Sequence, residues 1–103
     1  MIRSLCGLLL LATPMAVAAP ASAADAAKGE VLAKRWCAAC HIVATDQQRG
    51  STQAPAFSTI ADRPNFDASK VALFLLDPHP KMPDMNLTRA EAADLAACIA
   101  AQK

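Results

Sequence analysis

Cys37-Ala38-Ala39-Cys40-His41 is the stretch of this sequence with the most specific chemistry. Two thiols separated by two small residues, with an imidazole directly after the second, match the attachment site of a c-type haem. On one helical turn this spacing brings both sulfurs to one edge of a porphyrin, where each can add across a vinyl group. His41 then lies beneath the iron as the proximal ligand. We therefore predict one haem c, covalently bound through two thioether bonds.

Two other kinds of site also use paired cysteines. A closed four-ligand zinc site needs a second pair of ligands at short spacing, whereas His79 and Cys98 are far apart in sequence. A thioredoxin-like dithiol needs a βαβ pattern around the cysteines, and the flanking sequence is typical of helix and loop. Haem-free metal binding and dithiol chemistry are therefore the alternatives to haem attachment.

The amino terminus has the features of a secretory signal peptide. A basic Arg3 precedes an apolar run from Leu5 to Ala12, and Ala21-Ser22-Ala23 has the small residues of a cleavage site. The apolar run is too short to span a bilayer comfortably. We expect residues 1–23 to be removed and residues 24–103 to form one domain in the periplasm, with no stable membrane insertion after cleavage.

Composition agrees with a domain built around a cofactor. A chain of this size is small for a self-sufficient hydrophobic core, and the sequence has three phenylalanines, one tryptophan and no tyrosine. A buried porphyrin would supply the missing apolar surface. Because the chain has 10 basic and 9 acidic residues and no basic run, a nucleic-acid partner is not expected.

The first predicted helix runs from Asp25, a plausible N-cap, to Ala38. Val31, Leu32 and Ala33 are expected on or near its inner side. Gly29 lies within this helix, where glycine costs about 1 kcal/mol relative to alanine. We therefore expect another helix to approach closely there.

The rest of the domain is predicted as loop, short helix, helix, loop and helix. Residues 42–54 are polar, residues 57–61 form a short helix, and a third helix covers 67–76 before three prolines end it. A capping box formed by Thr88 and Glu91 opens the last helix. That helix carries one apolar stripe at helical spacing: Ala92, Leu95, Ala96 and Ile99.

The sixth position of the iron decides the chemistry of such a site. A methionine sulfur favours the reduced iron and suits electron transfer. Met82, on a proline-rich loop, is the best candidate, and Met85 and His79 are the alternatives. Pro55 offers a backbone carbonyl to the second ring nitrogen of His41, since a ligating histidine needs that nitrogen hydrogen-bonded.

Taken together, these features resemble the class I cytochromes c, and small soluble bacterial members most of all. The resemblance rests on Gly29, the Cys37–His41 motif, Pro55, the Met82-Pro83 loop and the capped last helix. It implies an all-α fold of three to five helices around one covalently bound haem, with the first and last helices crossing at Gly29. It also implies His41 and Met82 as axial ligands and the Pro55 carbonyl as the partner of His41.

One departure from that family concerns Cys98, which occupies a position where the last helix usually carries an aromatic residue. A buried thiol and a disulfide between two chains are both open. A second departure is the short segment between His41 and Met82, which leaves the contacts of the haem propionates undefined.

The function implied by these features is one-electron transfer in the periplasm, and the chain is not expected to be an enzyme. Its partners would be a membrane-complex donor and a terminal acceptor, met by transient contact. The alternatives are a cytochrome c subunit of a larger dehydrogenase or oxidase, and a haem protein with a labile sixth ligand that binds a gas or reacts with peroxide.

Overall fold

The computed structural model describes residues 12–18, 23–78 and 80–103. Within these ranges the regular secondary structure is helical: α1 (Ala26–Trp36), α2 (Phe57–Ala61), α3 (Ala68–Leu76) and α4 (Arg89–Ala100). The all-α prediction is therefore confirmed. Residues 12–18 of the predicted signal peptide are exposed without regular structure, and its remaining part up to residue 22 lies outside the described residues. No helix in the described ranges is both long and apolar enough to cross a bilayer.

Helix α1 begins as expected and ends slightly early. The Asp25 side chain accepts hydrogen bonds from the backbone amides of Ala27 and Lys28, at 2.9 and 3.1 Å. The helix ends at Trp36, two residues before the predicted Ala38, a difference typical of helix boundaries. The haem motif thus follows the helix instead of forming its last turn.

The inner face of α1 was predicted only in part. Ala33 is fully buried, but Val31 is 69% exposed, so its assignment to the inner side is wrong. Three consecutive residues of an α-helix project over about 200° and cannot share one face. The buried residues of α1 are Gly29 and Ala33, four positions apart.

The first and last helices pack closely at Gly29. A Cβ atom at this position would overlap the backbone carbonyl of Asp94 and would lie 2.9 Å from the Cβ of Cys98. The Asp25 amide donates a 2.7 Å hydrogen bond to the Asp94 carboxylate, which joins the start of α1 to α4. The predicted crossing of the terminal helices is confirmed, and a residue without a side chain permits it.

Helix α4 is the central element of the fold because it contacts α1, α2 and α3. Its capping box is formed as predicted: the Thr88 hydroxyl accepts from the Glu91 amide at 3.1 Å, and the Glu91 carboxylate accepts from the Thr88 amide at 2.8 Å. The predicted apolar stripe is buried, and Cys98 is buried with it.

The two shorter helices pack against α4 and enclose the candidate site. Asp67 caps α3 by accepting from the amides of Ser69 and Lys70. Phe57 and Ala61 of α2 and Leu75 of α3 are buried, whereas residues 42–54 form a loop between α1 and α2. This arrangement leaves a cavity bordered by α2, α3, α4 and the turn after α1.

Candidate haem-binding site

The motif forms a compact turn directly after α1. The amides of Cys40 and His41 both donate to the Cys37 carbonyl, at 3.1 and 2.8 Å. Cys37 is buried in the core, Cys40 is exposed, and His41 is half-buried. These two hydrogen bonds close a turn over the motif, which gives the two thiols and the imidazole their relative positions.

The His41 ring is fixed by two neighbours. Its Nδ1 lies 2.6 Å from the carbonyl oxygen of Pro55. Because a carbonyl only accepts hydrogen bonds, Nδ1 carries the proton and the lone pair of Nε2 is free for a metal. The Phe57 ring lies 5.8 Å from the imidazole, centroid to centroid, at a tilt of 50°.

A cavity of about 460 Å³, here called the first cavity, lies next to this imidazole. Small-molecule and cofactor sites usually occupy about 300–1,000 Å³ with mostly apolar walls. The walls come from the turn, the two shorter helices, α4 and the loop after α3: Cys37, His41, Pro55, Phe57, Ile60, Arg63, Lys70, Val71, Phe74, Leu75, Met82, Leu95 and Ile99.

A second cavity of about 190 Å³ lies beside Cys40. Four residues line both cavities: Cys37, His41, Pro55 and Met82. Cys40, Trp36, Lys81 and Met85 line the second cavity and are absent from the walls of the first. The two spaces thus adjoin at the residues that the sequence predicts as cofactor-binding.

The three candidates for the sixth ligand lie in different places. Met82 is half-buried and lines both cavities together with His41. Met85 is buried in the core and lines the second cavity only. His79 lies outside the described residues. Among the described candidates, Met82 is the one that shares the larger apolar space with the imidazole.

Gln47 holds the motif in place, a role that the sequence analysis did not identify. Its Oε1 accepts from the Val43 amide at 3.0 Å. Its Nε2 lies 2.9 Å from the Ala38 carbonyl, 2.8 Å from the His41 carbonyl and 2.7 Å from the Arg49 carbonyl. One side chain of the polar loop therefore joins three parts of the backbone around His41. No pattern in the sequence marks Gln47, because a loop glutamine is usually solvated.

The two motif thiols differ in burial. Burial raises the pKa of the Cys37 thiol to about 11, and the neighbouring Cys98 adds to the shift. Since the thiolate is the reactive form, Cys37 in the folded chain is a poor nucleophile near neutral pH. Cys40 is exposed. Cys98 is buried and forms no disulfide within the described chain.

Comparison with known proteins agrees with this geometry. The sequence is 50% identical over 98 residues to cytochrome c-552 of Bradyrhizobium diazoefficiens, and the alignment covers 95% of this chain and 91% of that protein. The chain belongs to the cytochrome c family. Neither a protein-family model nor a solved structure matches this cytochrome significantly.

The cofactor of this cytochrome is covalently bound haem c, as predicted, and its residues fit that group. The motif supplies two thiols and an imidazole whose Nε2 is free to bind a metal. Cys37 and His41 line the apolar first cavity, whereas Cys40 does not. The haem supplies a one-electron redox couple, so the cytochrome is an electron carrier. Arg63 and Lys70, which also line the first cavity, were not identified from the sequence because single basic residues are normally solvated.

Proposed function

We propose that this cytochrome is a periplasmic one-electron carrier in which His41 and Met82 are the two axial ligands of the haem iron. The observation that carries the proposal is the pairing of these two side chains along the walls of both cavities. Cys37 and Cys40 hold the cofactor through thioether bonds in this proposal. Methionine ligation favours the reduced iron and closes the iron to exogenous ligands, which suits electron transfer.

The hydrogen bond from His41 to Pro55 supports this assignment. A ligating histidine normally donates its second ring N–H to a carbonyl, carboxylate or water, which fixes its tautomer and orientation. The 2.6 Å contact between Nδ1 and the Pro55 oxygen is of this kind. Pro55 therefore acts as a positioning residue and leaves Nε2 as the ligating atom.

The surface around the second cavity is the proposed route for electrons. Several of its wall residues are exposed, among them Trp36, Cys40 and Lys81. The Arg35 guanidinium lies 5.1 Å from the centre of the Trp36 ring. Transient redox partners usually meet over small, polar contact areas. We infer brief encounters at this surface with a membrane-complex donor and a terminal acceptor.

Export is part of the proposal. The basic start, the apolar run and the small residues at positions 21–23 support cleavage after Ala23 and a mature domain of residues 24–103. Covalent haem attachment through cysteines also fits an extracytoplasmic compartment. Amino-terminal sequencing of the exported protein tests the cleavage position.

Substitution of Met82 is the experiment that tests the ligand assignment. In the Met82→Ala variant, we expect the low-spin spectrum to change, the reduction potential to fall and the reduced protein to bind carbon monoxide at neutral pH. The wild-type protein should resist carbon monoxide, because a thioether sulfur already occupies the sixth position.

Met85→Ala and His79→Ala are the matched controls, and both should keep the wild-type spectrum. A low-spin spectrum that survives Met82→Ala unchanged contradicts the assignment and transfers it to whichever control loses that spectrum. Carbon monoxide binding by the wild-type protein would instead favour the gas-binding alternative. Stable copurification with a dehydrogenase or oxidase would favour the subunit alternative.

A further inference from the structure

Two basic side chains are among the walls of the first cavity. Of the residues that line it in the described part of the chain, Arg63 and Lys70 are the two with basic side chains other than His41. Neither is a wall residue of the second cavity, which contains Cys40. The cations are therefore found in the part of the site that does not adjoin Cys40.

The two cations come from neighbouring segments. Arg63 lies between α2 and α3, and Lys70 lies in the first turn of α3. A cation in the first turn of a helix is unfavourable, because the helix N-terminus already carries partial positive charge. No acidic residue occupies the first turn of α3. An anion bound near Lys70 would offset both positive charges.

Within the described ranges, neither Arg63 nor Lys70 forms an ion pair with an acidic side chain. Asp62 precedes Arg63, and Asp67 caps α3 with its carboxylate on the amides of Ser69 and Lys70. In the described ranges, the ion pair within 4.0 Å is the one between Lys34 and Glu30 on α1. Both cationic side chains are exposed at the cavity and available to a ligand.

The chemistry of haem c indicates which anion would bind there. The two thioether bonds and the two propionate carboxylates of haem c lie on opposite edges of the porphyrin ring. We propose that Arg63 and Lys70 bind the haem propionates. This inference rests on the family's haem c and on its attachment at Cys37 and Cys40. Arginine forms bidentate hydrogen bonds with a carboxylate, and lysine acts as a point charge.

The test is a pH titration of the oxidised holoprotein, followed by NMR through the hyperfine-shifted haem methyl resonances. The proteins compared are the wild type, Arg63→Gln, Lys70→Gln and the double variant. Each propionate ionisation appears as an inflection in these shifts. An adjacent cation lowers a carboxyl pKa by about 1–3 units, so the inflections should move to higher pH in each single variant and furthest in the double variant.

Lys28→Gln is the matched control, because Lys28 is an exposed cation on α1 that lines neither cavity. Its titration should superimpose on that of the wild type. Arg63→Lys and Lys70→Arg, which keep the charges, should also leave the inflections close to wild type. If the double variant does not fold, the two single variants decide the question.

Inflections that stay in place in both single variants overturn the proposal, as does an equal shift in Lys28→Gln. In either case the two cations belong to the outer surface, and the assignment of covalently bound haem still holds. A colourless wild-type protein whose mass equals that of its polypeptide would overturn the cofactor assignment itself. Failure of the propionate proposal and failure of the haem assignment are therefore distinguishable.

Discussion

Gln47 shows how much a single loop side chain contributes to the geometry of the site. Replacing it with alanine removes hydrogen bonds to the Val43 amide and to the carbonyls of Ala38, His41 and Arg49. We expect Gln47→Ala to lower the free energy of unfolding by about 1–3 kcal/mol, because the three part-buried groups among these, the Val43 amide and the carbonyls of Ala38 and His41, lose their partner. It should also shift the haem methyl resonances, which respond to the orientation of the His41 ring.

Denaturant unfolding and the NMR spectrum of the oxidised holoprotein measure both effects. Gln48→Ala is the matched control, since Gln48 is adjacent and exposed. Gln47→Glu keeps the acceptor for Val43 but places carboxylate oxygens near three carbonyls, so we expect it to be no more stable than Gln47→Ala. Equal stability and equal spectra for Gln47→Ala and Gln48→Ala would refute the positioning role.

We expect Cys98 to make the stability of the holoprotein depend on pH. Burial and the nearby Glu30 raise the pKa of its thiol above the ordinary value of 9.0, and Lys34 opposes this shift. A folded-state pKa above the unfolded one means that the contribution to stability is complete below pH 9. It is lost as pH rises through the folded pKa, by at most about 1.4 kcal/mol per pH unit.

The free energy of unfolding of the reduced, monomeric holoprotein should therefore decline above pH 9, and Cys98→Ala should decline less. Urea titrations at a series of pH values between 8 and about 11 measure the difference. Cys37 does not contribute to it, because its sulfur is a thioether in the mature protein. Parallel stability curves for the wild type and Cys98→Ala would contradict this prediction.

At the scale of the elements, the contact between α1 and α4 depends on Gly29. Alanine is the better helix former by about 1 kcal/mol, but its Cβ would overlap the Asp94 carbonyl, which belongs to the backbone of α4. The overlap has to be relieved by moving a helix, and overpacking typically costs about 1–3 kcal/mol. We expect Gly29→Ala to destabilise the holoprotein despite its higher helix propensity.

Thermal unfolding followed by circular dichroism tests this balance. Val31→Ala is the control on the same helix, since Val31 is mostly exposed and its truncation should change stability by no more than about 0.5 kcal/mol. A Gly29→Ala protein as stable as the wild type would show that the two helices separate without loss.

For the whole molecule, the helices enclose a space that side chains do not fill. The walls of the cavity of about 460 Å³ are mostly apolar side chains, which would be exposed to water without the haem. Burying one such side chain fully contributes about 1.5–3 kcal/mol, and the total stability of a small domain is only about 5–15 kcal/mol. We therefore expect residues 24–103 without haem to have little helical circular dichroism and no cooperative unfolding transition, in contrast to the holoprotein.

Circular dichroism of the haem-free chain also bears on whether haem attachment precedes the packing of the helices. A Cys37 thiol that is buried with a pKa of about 11 is poorly reactive in the folded chain, so attachment is expected before α1 and α4 pack. A haem-free chain with native helicity and a sharp unfolding transition would contradict both expectations.

The sequence by itself determined the features that depend on local order along the chain. The helix caps at Asp25, Asp67 and Thr88 and the spacing of the haem motif are local, because each involves residues within four positions of one another. The apolar stripe of α4 is likewise a pattern of one helix. These features sufficed to predict an all-α domain with a covalently bound haem.

Only the tertiary structure decided which distant groups meet. The bond from His41 to Pro55, the hydrogen bonds of Gln47, the contact of Gly29 with Asp94 and the cations at the first cavity all depend on how loops and helices return on one another. The contacts of His41 with Pro55 and of Gly29 with the last helix had been expected, both from the residues themselves and through the family resemblance. The hydrogen bonds of Gln47 and the cations had no sequence signal. A polar loop residue or a surface cation has the same sequence signature whether it is solvated or bound, because its partners are brought to it only when the chain packs.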